Sequence, residues 1–423
     1  MENKNLTVRC EGLRILLRGP FPPPYGGIAT LIASILPGLK ACGAEDIVVL
    51  DYGKINSVEK VKEGIIYRYN LKRQLWKIML PQNWFTFFQV ANTLKGNQIP
   101  FRQLMRETIK TILATKIAKR HSSKVVNFYQ SHEAIEMLVC KKKWGTSRSI
   151  ILNIYGEIYD NFDIIEPRKE LFRKMVEMPA AVVASSEHCG RSFKKIGVER
   201  HIDVIYVGVD MERFDDKQHV LRNKYRQELG ISDNTTVVLY MGRFIEEMGL
   251  DSMIDIVPSL IAEKGNELKL IFAGAKGPLC DAAFECKKKY PDHVIVMNNV
   301  PFALQPSLYS AADIVVTPSR AQHACMGVTI KEAMAASRPV IGSDSGGIPE
   351  AIIHAETGLI IPLLSDGDVD SEAFKQAILS LMGQKEKCAA MGKAGRQRAH
   401  DLFSEVTTIN RSAKIFMNGL SNG

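Results

Sequence analysis

The chain has 423 residues, 46% apolar and 24% charged, with a formal net charge of +9. That length predicts two domains, and the composition is that expected of a soluble globular protein. No apolar run approaches the ~18 residues that would span a bilayer, and the polar start MENKNLTVRCEG predicts no secretory leader, so a cytoplasmic protein is expected.

The charge is unevenly divided, +14 over residues 1–200 and −5 over the rest. A basic surface on the first half follows, facing a lipid headgroup, a phosphorylated acceptor or nucleic acid, or simply water. The eight cysteines form no CxxC pair and no metal-ligand spacing, which predicts reduced structural thiols and no metal site.

In chain order, residues 13–19 (LRILLRG) predict a first strand. It runs through a proline-rich loop into Gly26 and Gly27, and then a helix over Ile28–Leu39. A stiff loop emptying through two glycines into a helix is a candidate cradle for phosphate or sugar. It is not GxGxxG and has no acidic residue at the dinucleotide spacing, which argues against a nicotinamide cofactor. Ile47–Leu50 predicts the second strand. Residues 72–124 mix bases with Trp76, Trp84, Phe85, Phe87 and Phe88 and continue into a basic helix from Arg102. Such a composition suits a membrane surface or base stacking, but the preferred expectation is that these aromatics are core. No nucleic-acid motif accompanies them, and no nucleic-acid partner is expected.

Val125–Tyr129, Ser149–Ile154 and Ala181–Ser185 predict further strands, and Val204–Tyr206 leads into a hinge at Val207–Asp210. Thr236–Tyr240 restarts the pattern and ends in Gly242-Arg243, where an arginine at a strand end suits a diphosphate. Lys269–Ala273, His293–Met297, Asp313–Thr317 and Pro339–Gly342 follow as strands, and residues 395–423 as a helical tail. Strand, loop and helix alternate as in a parallel α/β fold, with ligands expected where strand ends meet helix starts. Gly327, Val328 and Thr329 open one such helix, where backbone N–H groups and the helix dipole favour an anion. Glu332, on its first turns, is ill placed for phosphate and well placed to accept hydrogen bonds from sugar hydroxyls.

These pieces together resemble the GT-B-fold glycosyltransferases of family 4, which are retaining and nucleotide-sugar-dependent. The resemblance rests on Pro24–Gly27, Ser186-Glu187 with Arg191, Gly208-Val209-Asp210 with Phe214, Gly242-Arg243, Gly274 with Gly277-Pro278, Ala312-Asp313 with Pro318-Ser319, and Glu332–Ala335 through Pro339-Val340 to Gly346-Gly347-Pro349-Glu350. It implies two Rossmann-like domains facing a cleft, an acceptor-side domain over 1–207 and a nucleotide-sugar domain over 208–396, with a last helix over 397–423 crossing back to the first.

By the same resemblance, Arg243 neutralises the diphosphate, the Gly327–Thr329 backbone meets phosphate or sugar, Glu332 binds the ribose, and Gly26-Gly27 closes over the donor. Tyr155 stands where the family often has an acceptor-side histidine, with His132 and Glu157 nearby as substitutes. Tyr155 and Glu332 are thus the candidate catalytic residues. No metal and no cofactor are expected beyond the donor substrate.

Three family positions depart. The usual first glutamate is Ala324, the usual diphosphate lysine is Met248, and the usual asparagine before Gly208 is Val207. The leading expectation is transfer from a UDP- or GDP-sugar to a glycan or lipid-linked acceptor, on a cytoplasmic protein that can sit peripherally on an anionic membrane face. The alternatives are a scaffold without turnover, favoured by the departures, and sugar-nucleotide epimerisation or phosphorolysis on the same fold.

Overall fold

The computed structural model describes residues 6–23, 27–97, 99–217, 219–320, 322 and 325–421, the side chain of Asp160 excepted. Gly26 and Ala324, both singled out above, lie outside the described residues. The chain divides into two compact units, one of residues 1–207 with 405–423 and one of residues 208–404.

The first unit is built on an eight-stranded sheet in the order β3-β4-β2-β1-β5-β6-β7-β8. Its strands are β1 (Arg14–Arg18), β2 (Asp46–Asp51), β3 (Ser57–Lys60), β4 (Ile65–Arg68), β5 (Val125–Tyr129), β6 (Ser149–Ile154), β7 (Ala181–Ala184) and β8 (Asp203–Val204). All neighbours are parallel except the β3–β4 pair at the edge. Central strands covered on both faces need apolar side chains at every position; β5 is buried throughout and β2 from its second residue on.

The helix Gly27–Ala41 packs against the last helix, Glu405–Ser421, which buries Ile409, Ala413 and Phe416. Gly38 permits the approach, because a Cβ there would lie 2.4 Å from Ile409 Cδ1. The tail expected as one helix from residue 395 is two. The first, Lys385–Phe403, belongs to the second unit, and extended Ser404 separates them.

The aromatic segment corrects one expectation. Of its five aromatics only Phe87 packs inward, against Ile78, Ile109 and Leu113, whereas Trp76, Trp84, Phe85 and Phe88 are exposed. The expected buried aromatic core does not form because the inward positions of the helix Pro81–Leu94 are held by Thr86, Val90 and Leu94.

The second unit has a six-stranded, all-parallel sheet in the order β11-β10-β9-β12-β13-β14. The strands are β9 (Thr236–Met241), β10 (Leu268–Gly274), β11 (Val294–Asn298), β12 (Ile314–Thr317), β13 (Val340–Ser343) and β14 (Gly358–Ile361). Ala312-Asp313 acts as a clasp at the start of β12. Asp313 accepts from Val237 N at 2.8 Å and pairs with Arg222 at 2.6 Å and Arg226 at 3.2 Å, which pins the helix Val220–Glu228 to the sheet. Six of the eight cysteines, Cys10, Cys42, Cys140, Cys189, Cys280 and Cys286, are buried. Among the described residues no helix is long and apolar enough to cross a membrane.

Candidate functional site

In the second unit the carboxyl ends of β9 and β12 open onto a pocket of about 280 Å³. Arg243, Gly327 and Thr329 line it together, with Tyr240, Met248 and Ser319 among their neighbours. Two glycines set its frame. Gly274 has φ +146°, and a Cβ there would fall 1.8 Å from Gly242 O, so only glycine lets the β10 end meet the β9 end. A Cβ on Gly249, at φ +75°, would fall equally close to Pro318 O.

The backbone of Arg243 is fixed and its side chain is uncommitted. The buried Tyr240 phenol donates to Arg243 O at 2.7 Å, and Phe244 N donates to Ala275 O at 3.0 Å. The guanidinium is exposed and makes no hydrogen bond or ion pair with any described residue. It is also the sole charged side chain among the described residues that line the pocket. A cation so placed is available to an anionic ligand.

Opposite, the helix Val328–Ala335 begins at Gly327, whose φ of +71° lies in the left-handed region and beside which there is open space. Thr329 Oγ1 donates to Met241 O at 3.1 Å and so ties the first turn to the end of β9. Val328 turns its side chain outward. Glu332, one turn on, is nearly enclosed. Its Oε2 accepts from the Tyr309 phenol at 2.7 Å, and its Oε1 lies 4.0 Å from Arg213. Arg213 is itself held by Gln305 Oε1 at 2.9 Å and by stacking on Phe302 at 3.3 Å. Burial raises the Glu332 carboxyl above its ordinary value, and the Tyr309 hydrogen bond, Arg213 and Lys331 pull it partly back.

The remaining sequence candidates lie in the first unit. Gly27 opens the helix Gly27–Ala41, and Tyr155 follows β6 directly, facing a small cavity with Asn153 and Ser185. Glu157 is a loop clasp: its two oxygens accept from Ser131 N at 3.0 Å and Tyr155 N at 2.5 Å, joining the ends of β5 and β6. Sequence reasoning missed Tyr309 and Arg213. Arg213 had a signal in its neighbour Phe214; Tyr309 had none. Among the described residues no group of three or more His, Cys, Asp or Glu could hold a metal ion.

Comparison with known proteins gives the site a context. Residues 222–398 match the family described as glycosyl transferases group 1. A GDP-mannose-dependent alpha-(1-6)-phosphatidylinositol monomannoside mannosyltransferase of Mycolicibacterium smegmatis is 29% identical over 49% of the chain and 54% of its own length. Its Mycobacterium tuberculosis counterpart is 30% identical over 50% of the chain and 55% of its own length, so the match spans about half of these relatives.

Among solved structures, sucrose-phosphate synthase from Thermosynechococcus elongatus superposes with a TM-score of 0.72 at 18% identity, covering 97% of this chain and all of that one. Anabaena HepE in complex with UDP gives 0.70 at 16% identity, over 96% of this chain and all of that one. Identities this low establish the GT-B glycosyltransferase fold and nothing finer.

Proposed function

We propose that the chain, whose residues 222–398 match the glycosyl transferases group 1 family, moves a sugar from a UDP- or GDP-sugar to a glycan or lipid-linked acceptor, with retention at the anomeric carbon and without a metal. The observation that carries this reading is the uncommitted Arg243 guanidinium on one side of a pocket whose other side is the start of the helix Val328–Ala335.

In the reaction, the bond from the anomeric carbon to the β-phosphate oxygen breaks with its electron pair leaving on the diphosphate. The acceptor oxygen bonds that carbon, and its proton passes to the departing diphosphate oxygen. Arg243 neutralises the charge that grows on the departing diphosphate, and the helix start adds its dipole. Glu332, oriented by Tyr309, accepts hydrogen bonds from the ribose hydroxyls. Tyr155 is assigned to the acceptor side. The GDP-mannose dependence of the mycobacterial relatives favours GDP, whereas the UDP held by HepE favours UDP.

A second reading is a transferase-like scaffold without turnover. It is supported by Met248, which lines the pocket where the family resemblance calls for lysine. The two separate on one experiment, the Arg243→Ala variant assayed beside wild type for donor hydrolysis and transfer. Turnover by wild type that the variant loses supports the transferase. Turnover unchanged in the variant removes the assigned site, and no turnover in wild type leaves the scaffold.

A further inference from the structure

We propose that residues 71–97 and 99–106 form a docking face that seats the protein on an anionic lipid surface, with aromatic side chains entering the headgroup region. The segment comprises a 3-10 helix (Leu71–Met79), the helix Pro81–Leu94 and the start of the helix Phe101–Arg120. Its inner side is satisfied: Ile78 joins Ile109 and Leu113 in a small satellite core, and Thr86, Val90 and Leu94 are buried. Its outer side is not. Trp76, Met79, Trp84, Phe85, Phe88 and Phe101 are all exposed, Met79 by 78% and Phe85 by 69%. At about 100° per residue, Trp84, Phe85 and Phe88 fall within an arc of about 100° on their helix, opposite the arc of Thr86, Val90 and Leu94. Scattered exposed apolar residues need no explanation, but a contiguous group on successive elements marks an interaction surface.

Charge decides the occupant. Residues 71–106 contain six Lys and Arg and no Asp or Glu. Arg106 is paired to Glu133 at 2.6 Å. Lys72, Arg73, Lys77, Lys95 and Arg102 make no ion pair with any described residue, and the Lys77 ammonium sits 4.3 Å from the Trp76 ring centre. A second copy of the chain is a poor fit, because a two-fold contact sets a patch against itself and here would oppose bases to bases with no carboxylate between them. Bases interleaved with Trp and Phe match an anionic membrane interface, where rings lie at headgroup depth and cations meet the surface potential. The inference stands on this surface and not on the donor pocket, so either can fail alone.

The test is co-sedimentation of the full chain with phosphatidylcholine vesicles, with and without phosphatidylglycerol. Expected are binding to the anionic vesicles, weakening as salt rises, and quenching of tryptophan fluorescence by brominated lipid, since Trp76 and Trp84 are exposed and Trp144 is buried. The triple variant Trp84→Gln, Phe85→Gln, Phe88→Gln removes side chains that support no core, so its melting temperature should hold while binding falls at least about tenfold. Should that variant misfold, Lys72→Ser with Arg73→Ser and quenching of the wild type read the same face. No binding to anionic vesicles overturns the proposal. So does unchanged binding by a folded variant, or a dimer that the same substitutions abolish.

Discussion

The Tyr309 phenol donates to Glu332 Oε2 across 2.7 Å, joining two helices whose partners are 23 residues apart in sequence. Tyr309 is buried and Glu332 nearly enclosed, so this bond sets the direction in which the carboxylate faces. Tyr309→Phe keeps the ring packed on Phe214 and deletes only the donor. Expected are a stability loss of about 1–2 kcal/mol in denaturant titration and weaker binding of the donor nucleotide by calorimetry.

The same carboxylate predicts a pH dependence. Its folded value is raised by burial, so it protonates at higher pH than an exposed glutamate. Donor affinity should therefore decline as pH falls from neutrality toward that value, as the acceptor becomes a neutral acid. A raised carboxyl favours the folded state most below its unfolded value, and that contribution is lost as pH rises through the folded one. Glu332→Gln should bind donor more weakly at neutral pH, lose the acid-side decline, and gain relative stability as pH rises. Affinity and melting temperature measured across pH 4–8 check both signs.

Met248 lines the pocket that holds Arg243 and is half-buried at the rim of the core. Met248→Lys supplies a second cation beside the first. A charge-assisted contact to a diphosphate contributes ~1.5–3 kcal/mol, so nucleoside diphosphate affinity should rise about tenfold or more, and a nucleoside without phosphate should gain nothing. Competition between the two ligands reads the difference.

Gly274→Ala tests the frame rather than the lining. The new Cβ would overlap Gly242 O, at a φ that side chains rarely adopt, so the loop carrying Arg243 must shift. A destabilisation of about 2–3 kcal/mol and a loss of donor affinity larger than the loss of fold are expected, by denaturant melts and calorimetry on the folded fraction.

Much of the scaffold was legible because a buried parallel strand must be apolar at consecutive positions. TVVLYM and IVVT, the cores of β9 and β12, show that pattern directly. The β3–β4 hairpin and β14 escaped notice, since SVEK is a mostly exposed edge and GLII only four residues long. At the site, Arg243, Gly327 and Thr329 were readable from their places at strand and helix ends. The Arg213–Glu332–Tyr309 array was not, because it joins three elements distant in sequence, and no local pattern encodes such contacts. The aromatics were misassigned for a related reason: composition does not say which side of a helix the rest of the chain covers.

The central claim is that Arg243 receives the diphosphate of a nucleotide sugar, and one measurement reaches it directly. The melting temperature of wild type and Arg243→Ala should be followed with UDP, GDP and ADP and their common sugar conjugates. A ligand bound only by the folded state raises that temperature by mass action. The account predicts a rise for wild type with one nucleotide family, largely absent in the variant although its ligand-free melt is unchanged. No rise with any of them, or an equal rise in both proteins, would contradict it.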